Sequence, residues 1–170
     1  MPHLQLWGSL ACSMFEGEKY LKIAIKQAQI ALQKGEMPVG AVFILKNYPS
    51  NGDVFITKAH NKTAGQNSNL AHAEILAINK MCKKLGINNF YGLDATIFTT
   101  LEPCLMCYGF IGLSKISQII FGVRNEKFGF LNNVKTLGPL PQYNTHYLYG
   151  FCESQITKLM GSFFEKNRER

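Results

Sequence analysis

Two short segments contain the side chains that could do chemistry. One is His-Ala-Glu at residues 72–74, and the other is Pro-Cys-Leu-Met-Cys at residues 103–107. Imidazole nitrogen and cysteine thiolate are ligands that zinc prefers, and a catalytic zinc keeps three protein ligands and one position for water. His72, Cys104 and Cys107 would supply three such ligands, so the spacing predicts a catalytic zinc site.

Glu74 supplies a proton carrier beside the predicted metal. The pattern H-x-E followed by P-C-x-x-C is the signature of zinc-dependent nucleobase deaminases, in which the Glu is a general acid and base and not a ligand. On an ideal helix, residues two apart point roughly 200° away from each other. Glu74 and His72 can therefore serve one site only if the first helical turn is irregular. The expected reaction is metal-assisted hydrolytic deamination.

Other uses of these residues stay open on spacing alone. A lone C-x-x-C can be a redox dithiol, although the Pro-Cys opening and the His-x-Glu segment favour a metal. A structural zinc domain that binds RNA would normally close its site with a fourth Cys or His, and it has no use for Glu74. His60 is an alternative ligand, but it is expected to lie in a surface loop. The remaining thiols are interpreted as buried or incidental; they are Cys12, Cys82 and Cys152.

Both motifs are predicted to lie at helix starts that follow a strand or a loop. Helical periodicity begins near Glu18 and ends before Gly35, and it predicts further helices at about 70–85, 104–113 and 153–167. Strands are predicted at 39–45, 54–59, 95–100 and 116–121, and no assignment is made for the turn-rich stretch 122–143. Strands that alternate with helices indicate a layered α/β domain. We interpret residues 1–170 as a single domain with a leader at 1–15 and a C-terminal helix and tail at 153–170.

Composition limits the class of protein and its partners. A chain of 170 residues with 46% hydrophobic residues fits one globular domain and is not intrinsically disordered. Five scattered cysteines and no apolar run near 20 residues predict a cytoplasmic protein with no membrane segment. Eighteen Lys and Arg against eleven Asp and Glu give a net charge of +7, which favours RNA or DNA as partner. Candidate phosphate contacts are Lys58, Lys62, Arg124 and Lys127.

Several segments together resemble the bacterial tRNA-specific adenosine deaminases of the cytidine/deoxycytidylate deaminase superfamily. They are Pro-Val-Gly-Ala-Val at 38–42, Asn61, Ala-His-Ala-Glu-Ile at 71–75, Thr-Leu-Glu-Pro-Cys-Leu-Met-Cys at 100–107, Phe-Gly-Val-Arg at 121–124, and the tail with Phe163, Phe164, Lys166, Arg168 and Arg170. The resemblance implies zinc-dependent conversion of adenosine to inosine at the wobble position of tRNA anticodons by a homodimer. It also implies a three-layer α/β/α fold with a central five-stranded mixed sheet, whose fifth strand lies near His146–Gly150.

The resemblance also implies where the tRNA anticodon stem-loop would bind. Asn61 would hydrogen-bond the target purine, and contacts are expected from the backbone amide near Ala73 and from Arg124, Asn125 and Phe163. Many members have Asp where this chain has Asn125, and Asn keeps a carbonyl acceptor for a 2′-hydroxyl without the charge. Selectivity for RNA over DNA therefore stays open. The alternative substrate is a free base or nucleotide such as guanine, cytosine or deoxycytidylate, which would need neither the charge of +7 nor the basic tail.

Overall fold

The computed structural model describes residues 4–136, 143 and 145–168. Five helices and five strands alternate along these residues. In chain order they are α1 Leu4–Gln33, β1 Gly40–Lys46, β2 Val54–His60, α2 Ala73–Leu85, β3 Asp94–Leu101, α3 Leu105–Leu113, β4 Gln118–Val123, α4 Phe130–Thr136, β5 His146–Tyr149 and α5 Glu153–Arg168.

The strands form one mixed sheet in the order β2-β1-β3-β4-β5. Strand β1 lies between β2 and β3 and pairs antiparallel with both, whereas β3, β4 and β5 run parallel. The register places Gln118 of β4 opposite His146 of β5. The predicted five-stranded mixed sheet is confirmed, including the strand that only the family resemblance indicated.

Helices cover both faces of the sheet because the strands are apolar on both sides. Successive strand residues point to opposite faces. Phe43 and Leu45 of β1 therefore enter one core with α2 and α3, and Val42 and Ile44 enter a second core with α1. The helix α5 lies on the second face, where Ile156 is fully buried beside β4. This arrangement confirms the predicted α/β/α layers.

Gly40 allows α1 to lie directly on the sheet. A Cβ atom built at this position would collide with the backbone of Ala24 and Ala28. The glycine in the Pro-Val-Gly-Ala-Val segment is therefore required by the close approach of a helix and a strand.

Two elements differ from the sequence-based predictions. The backbone helix α1 begins at Leu4, so the described part of the predicted leader 1–15 is helical and continuous with the predicted helix from Glu18. The short helix α4 lies in the stretch 122–143, where seven residues contain too few turns to show a period.

The tail residue Arg170 lies outside the described residues. Within the described residues, no helix is long and apolar enough to cross a bilayer.

Candidate active site and metal centre

Two helix N-termini bring the predicted metal ligands together. His72 is the N-cap residue of α2 and Cys104 is the N-cap residue of α3, and both have extended backbone dihedrals. Neither side chain makes a capping hydrogen bond, so both remain available as ligands. Cys107 lies one turn further into α3 and is fully buried.

The distances between the three side chains fit a zinc ion. The Nδ1 atom of His72 lies 3.7 Å from Sγ of Cys104 and 3.4 Å from Sγ of Cys107. All three ligand atoms lie within 4.8 Å of one another. A tetrahedral zinc with ordinary Zn–S and Zn–N bonds would separate S from N by about 3.6 Å. The donor set and its spacing therefore match a zinc centre with three protein ligands.

The electrostatics of the cluster favour thiolate at Cys104. Its pKa is lowered to about 4, chiefly by a hydrogen bond from the Cys107 thiol and then by His72, although burial opposes the shift. The pKa of Cys107 is raised by the same hydrogen bond and by burial. The pKa of His72 is raised, first by its hydrogen bond with Cys104. Because zinc binds thiolates, metal binding at this cluster would release the proton of Cys107.

Glu74 lies in the same cavity as the ligand cluster. Its side chain is 4% exposed, and burial raises its pKa to about 7. The Oε2 atom is buried and has no hydrogen-bond partner among the described residues. A buried polar atom without a partner in the chain indicates a partner from outside it, such as water or substrate. The helical geometry that separates residues two apart does not apply, because His72 precedes the helix.

A cavity of about 470 Å³ opens over the cluster. Its walls come from the α1–β1 and β2–α2 connections, from the end of β3 and from the segment after β4. The lining residues are Met37, Val39, Asn61, Thr63, Asn69, His72, Glu74, Leu101, Glu102, Cys104, Met106, Asn125 and Phe128. The cavity is large enough for a nucleoside and is mostly apolar, with polar groups at a few positions, as ligand sites usually are.

The residues predicted to contact the substrate occupy different positions in the structure. Asn61 is 5% exposed and lines the cavity together with Asn125. Ala73 is the first residue of α2, and its side chain is buried in the core, so a contact with the substrate would come from its backbone amide. Phe163 packs against Phe164, with ring centroids 5.6 Å apart.

Arg124 pairs with a buried carboxylate. Its Nε donates to Oε2 of Glu102 at 2.7 Å, and its Nη2 donates to Oδ1 of Asn132 at 2.8 Å. Glu102 also accepts hydrogen bonds from the backbone N–H groups of Asn125 and Leu131. The carboxylate therefore holds the whole segment 124–131 against the cavity. Glu102 was part of the Leu-Glu-Pro-Cys motif, but the sequence indicated no role for it.

A second cavity of about 640 Å³ adjoins the first. The two share Met37, Leu101, Asn125 and Phe128 in their walls. The second is also lined by Arg124, Lys127 and Phe164, but not by Phe163. Adjacent helical residues point about 100° apart, so only one of the two α5 phenylalanines can face this cavity. Phe128 is 59% exposed and Phe164 is 47% exposed.

His60 does not join the metal cluster. It ends β2 and is 8% exposed, so the prediction that it lies in a surface loop was wrong. Its ring lies 3.4 Å from Nζ of Lys34 and 3.5 Å from Oε1 of Gln27. Burial between α1 and the sheet edge explains its position, since β2 extends one residue further than predicted.

The chain is similar to known zinc-dependent deaminases in sequence and structure. Residues 14–123 match the family described as the cytidine and deoxycytidylate deaminase zinc-binding region. The tRNA-specific adenosine deaminase of Bacillus subtilis (strain 168) is 35% identical over 159 residues, which cover 92% of this chain and 94% of that protein. The tRNA-specific adenosine deaminase of Aquifex aeolicus (strain VF5) is 34% identical over 152 residues, covering 89% and 95%.

A solved structure gives the same relationship. It comes from studies of A-to-I editing by tRNA:A34 deaminases at the wobble position of transfer RNA. The two folds superpose with a TM-score of 0.72 at 29% sequence identity, over 83% of this chain and 98% of that chain.

Proposed function

The chain belongs to the cytidine and deoxycytidylate deaminase zinc-binding family and, within it, to the tRNA-specific adenosine deaminases, and we propose that it deaminates the wobble adenosine of tRNA anticodons to inosine. The observation that carries the proposal is the cluster of His72, Cys104 and Cys107 beside the buried carboxylate of Glu74 in one cavity. A closed structural zinc site would need a fourth ligand. Among the described residues, no further His, Cys, Asp or Glu lies within the cluster.

In this proposal Glu74 transfers the protons. Zinc held by the three ligands would supply a Lewis acid, which lowers the pKa of water to about 7. Oε2 of Glu74 takes a proton from the attacking water and delivers it to N1 of adenine. The same carboxylate then takes the proton of the new C6 hydroxyl and delivers it to the amino group, which leaves as ammonia. Burial raises the pKa of the Glu74 carboxyl, and a raised pKa favours a group that both accepts and returns a proton within one cycle.

The cavity walls hold the target base and its neighbours. Asn61 and Asn125 offer hydrogen bonds to the target nucleotide. An anticodon loop presents its bases with little unstacking cost, so one base can leave the stack and enter the cavity. We infer that Phe128 and Phe164 in the adjoining cavity stack on flanking bases, which is a common use of exposed aromatic rings in RNA recognition.

Turnover of a synthetic anticodon stem-loop tests the proposal. The zinc-loaded protein is incubated with a stem-loop that has adenosine at the wobble position, and inosine is measured by mass spectrometry. Free adenosine, guanine, cytosine and deoxycytidylate are the comparison substrates. Inosine in the stem-loop supports the proposal, whereas faster turnover of a free base or nucleotide would favour the alternative. A DNA stem-loop of the same sequence tests the selectivity for RNA over DNA.

A group of neighbouring lysines on β2 and α2 supports binding of a polyanion. Lys58 and Lys80 are exposed, and Nζ of Lys80 donates to the backbone carbonyl of Lys58 at 2.8 Å. The pKa of Lys80 is lowered by partial burial and by the positive charges of Lys62 and Lys58. Such a cluster attracts phosphate groups of a bound RNA.

Deleting residues 166–170 is expected to weaken tRNA binding and to flatten its salt dependence. Lys166 and Arg168 lie in the last turn of α5, where they can reach a phosphate backbone. Each lost phosphate contact reduces the slope of log K against log salt by roughly 0.7–0.9. In the sequence Glu165 precedes Lys166 and Glu169 follows Arg168, and these negative charges limit the effect. Fluorescence anisotropy across a salt series gives the slope. An unchanged slope and affinity would show that the tail is a solvated helix end that does not contact the tRNA.

We also propose that the enzyme is a homodimer that uses the surface of α3. This helix has no charged residue, yet Met106 is 37% exposed and Leu113 is 66% exposed. Light scattering of the wild type should give twice the monomer mass. Leu113→Asp should give monomer, because a buried carboxylate would be unpaired in the interface. Leu70→Asp, at an equally exposed leucine outside α3, is the control that should remain dimeric. A monomeric wild type, or a dimeric Leu113→Asp variant, would contradict this assignment.

A cytoplasmic location follows from the proposed substrate and from the thiols. The zinc ligands Cys104 and Cys107 must stay reduced to bind metal. A reducing compartment such as the cytoplasm keeps them so.

A further inference from the structure

Glu36 is a buried carboxylate that joins two connections of the fold. It lies between α1 and β1 and is 4% exposed. It accepts hydrogen bonds from the backbone N–H groups of Gly65 at 2.7 Å and Ala64 at 3.2 Å. It also accepts from Thr63 Oγ1 and Asn61 Nδ2, each at 3.2 Å. All four donors belong to the segment 61–65, which follows β2.

The charge of Glu36 is retained despite its burial. Burial raises the pKa of the carboxyl, but the hydrogen bonds from Gly65, Ala64, Thr63 and Asn61 outweigh it and hold the pKa below its usual value. A carboxylate only accepts hydrogen bonds, so it matches a site where four donors converge. Hydrogen bonds to a charged group are stronger than those between neutral groups, which makes this connection stiff.

The network determines how Asn61 faces the substrate cavity. The Nδ2 group of Asn61 donates both to Glu36 and to Oγ1 of Thr63, the latter at 3.0 Å. Its two protons are therefore directed into the network, and the amide plane has one orientation. Asn61 and Thr63 both line the first cavity, and Met37, which follows Glu36, lines both cavities. Glu36 itself lines neither cavity.

We propose that Glu36 is a positioning residue for the substrate: its buried carboxylate holds Asn61 and the segment 63–65 in the orientation that binds the target nucleotide. The inference rests on the proposed function, because Asn61 is assigned there to the target base. A misplacement of a binding group by about 1 Å can reduce an enzymatic rate by roughly 100-fold. Loss of the Glu36 carboxylate is therefore expected to weaken substrate binding while the metal site stays intact.

Glu36→Gln tests the proposal with little change of volume. The amide adds a donor where four donors already meet, so at least one buried N–H is left without an acceptor. We expect kcat/KM on the stem-loop to fall about 10- to 100-fold, with KM rising more than kcat falls. Zinc content should equal that of the wild type. Glu18→Gln, the same substitution at an exposed site on α1, is the control that should leave kcat/KM unchanged.

A double-mutant cycle separates positioning from general loss of structure. If Glu36 acts through Asn61, Glu36→Gln should lower kcat/KM less than about threefold in an Asn61→Ala background, because the two residues act as one unit. Full additivity of the two losses, or a Glu36→Gln variant with the kcat/KM of the wild type, would overturn the proposal. Should Glu36→Gln fail to fold, Thr63→Val removes one donor of the network and should give a smaller loss in the same direction.

A readout without substrate keeps this test independent of the proposed function. The backbone N–H of Gly65 donates the shortest of the four bonds, so its hydrogen exchange should accelerate in Glu36→Gln more than that of amides in α2. Unchanged hydrogen exchange at Gly65 in the Glu36→Gln variant would contradict the proposal that Glu36 holds this segment. If the wild-type protein deaminates no stem-loop, the proposed function fails, whereas the exchange measurement still decides whether Glu36 holds the segment.

Discussion

Replacing Glu74 with Ala or Gln is expected to abolish deamination while the metal and the fold remain. In the proposed mechanism the carboxyl accepts a proton and returns it within each cycle, and neither replacement can do this. A single general acid or base contributes roughly 100- to 10,000-fold. Because Glu74 acts at several steps, the loss of kcat on the stem-loop should reach at least the upper end of this range. The amount of inosine formed per enzyme gives the rate.

The stability of these variants distinguishes a proton carrier from a structural residue. Oε2 of Glu74 is buried without a partner in the described chain, so it contributes little to folding. Glu74→Gln should keep its zinc and have a Tm equal to or above that of the wild type. Near-normal turnover by a metal-loaded Glu74→Ala variant would show that another group transfers the proton.

Removing both thiolate ligands should eliminate bound zinc and, with it, activity. In a variant with Cys104→Ala and Cys107→Ala, His72 alone would have to hold the ion. Elemental analysis should find about one zinc per wild-type chain and none in the double variant. Since a ligand that binds only the folded state stabilises it, a chelator should lower the Tm of the wild type but not that of the double variant.

Cys82→Ala is the matched control for the zinc prediction. Cys82 is a half-buried free thiol on α2 that does not belong to the ligand cluster. This variant should retain its zinc and its turnover. Full metal content in the double variant would remove Cys104 and Cys107 from the ligand set.

Local patterns predicted much of the fold. The apolar stretch 39–45 predicted a strand, and the structure has β1 at Gly40–Lys46 between two separate cores. The types and spacing of His72, Cys104 and Cys107 predicted a metal cluster, because two ligands belong to one helix start and the third to another. Helix and strand periods depend on neighbours within a few residues, and a single sequence shows those directly.

The tertiary structure alone decided how the cavity walls are held. Glu36 bonds to residues 25 to 29 positions away, and Glu102 pairs with Arg124, 22 positions away. No periodic pattern links residues at such separations, because their contact depends on how the sheet packs against its helices. The choice of Phe164 over Phe163 likewise depends on the rotation of α5 about its own axis.

The sequence by itself therefore determined the chemistry that we propose for this protein, since the proposed zinc ligands and Glu74 lie in two short motifs. The tertiary structure decided the geometry that makes the chemistry possible. His72 and Cys104 precede their helices, and this extended backbone lets His72 face the thiols while Glu74 faces the same cavity. The sequence gives the residue types of the site. The directions of their side chains depend on where each helix begins and on which elements pack against it.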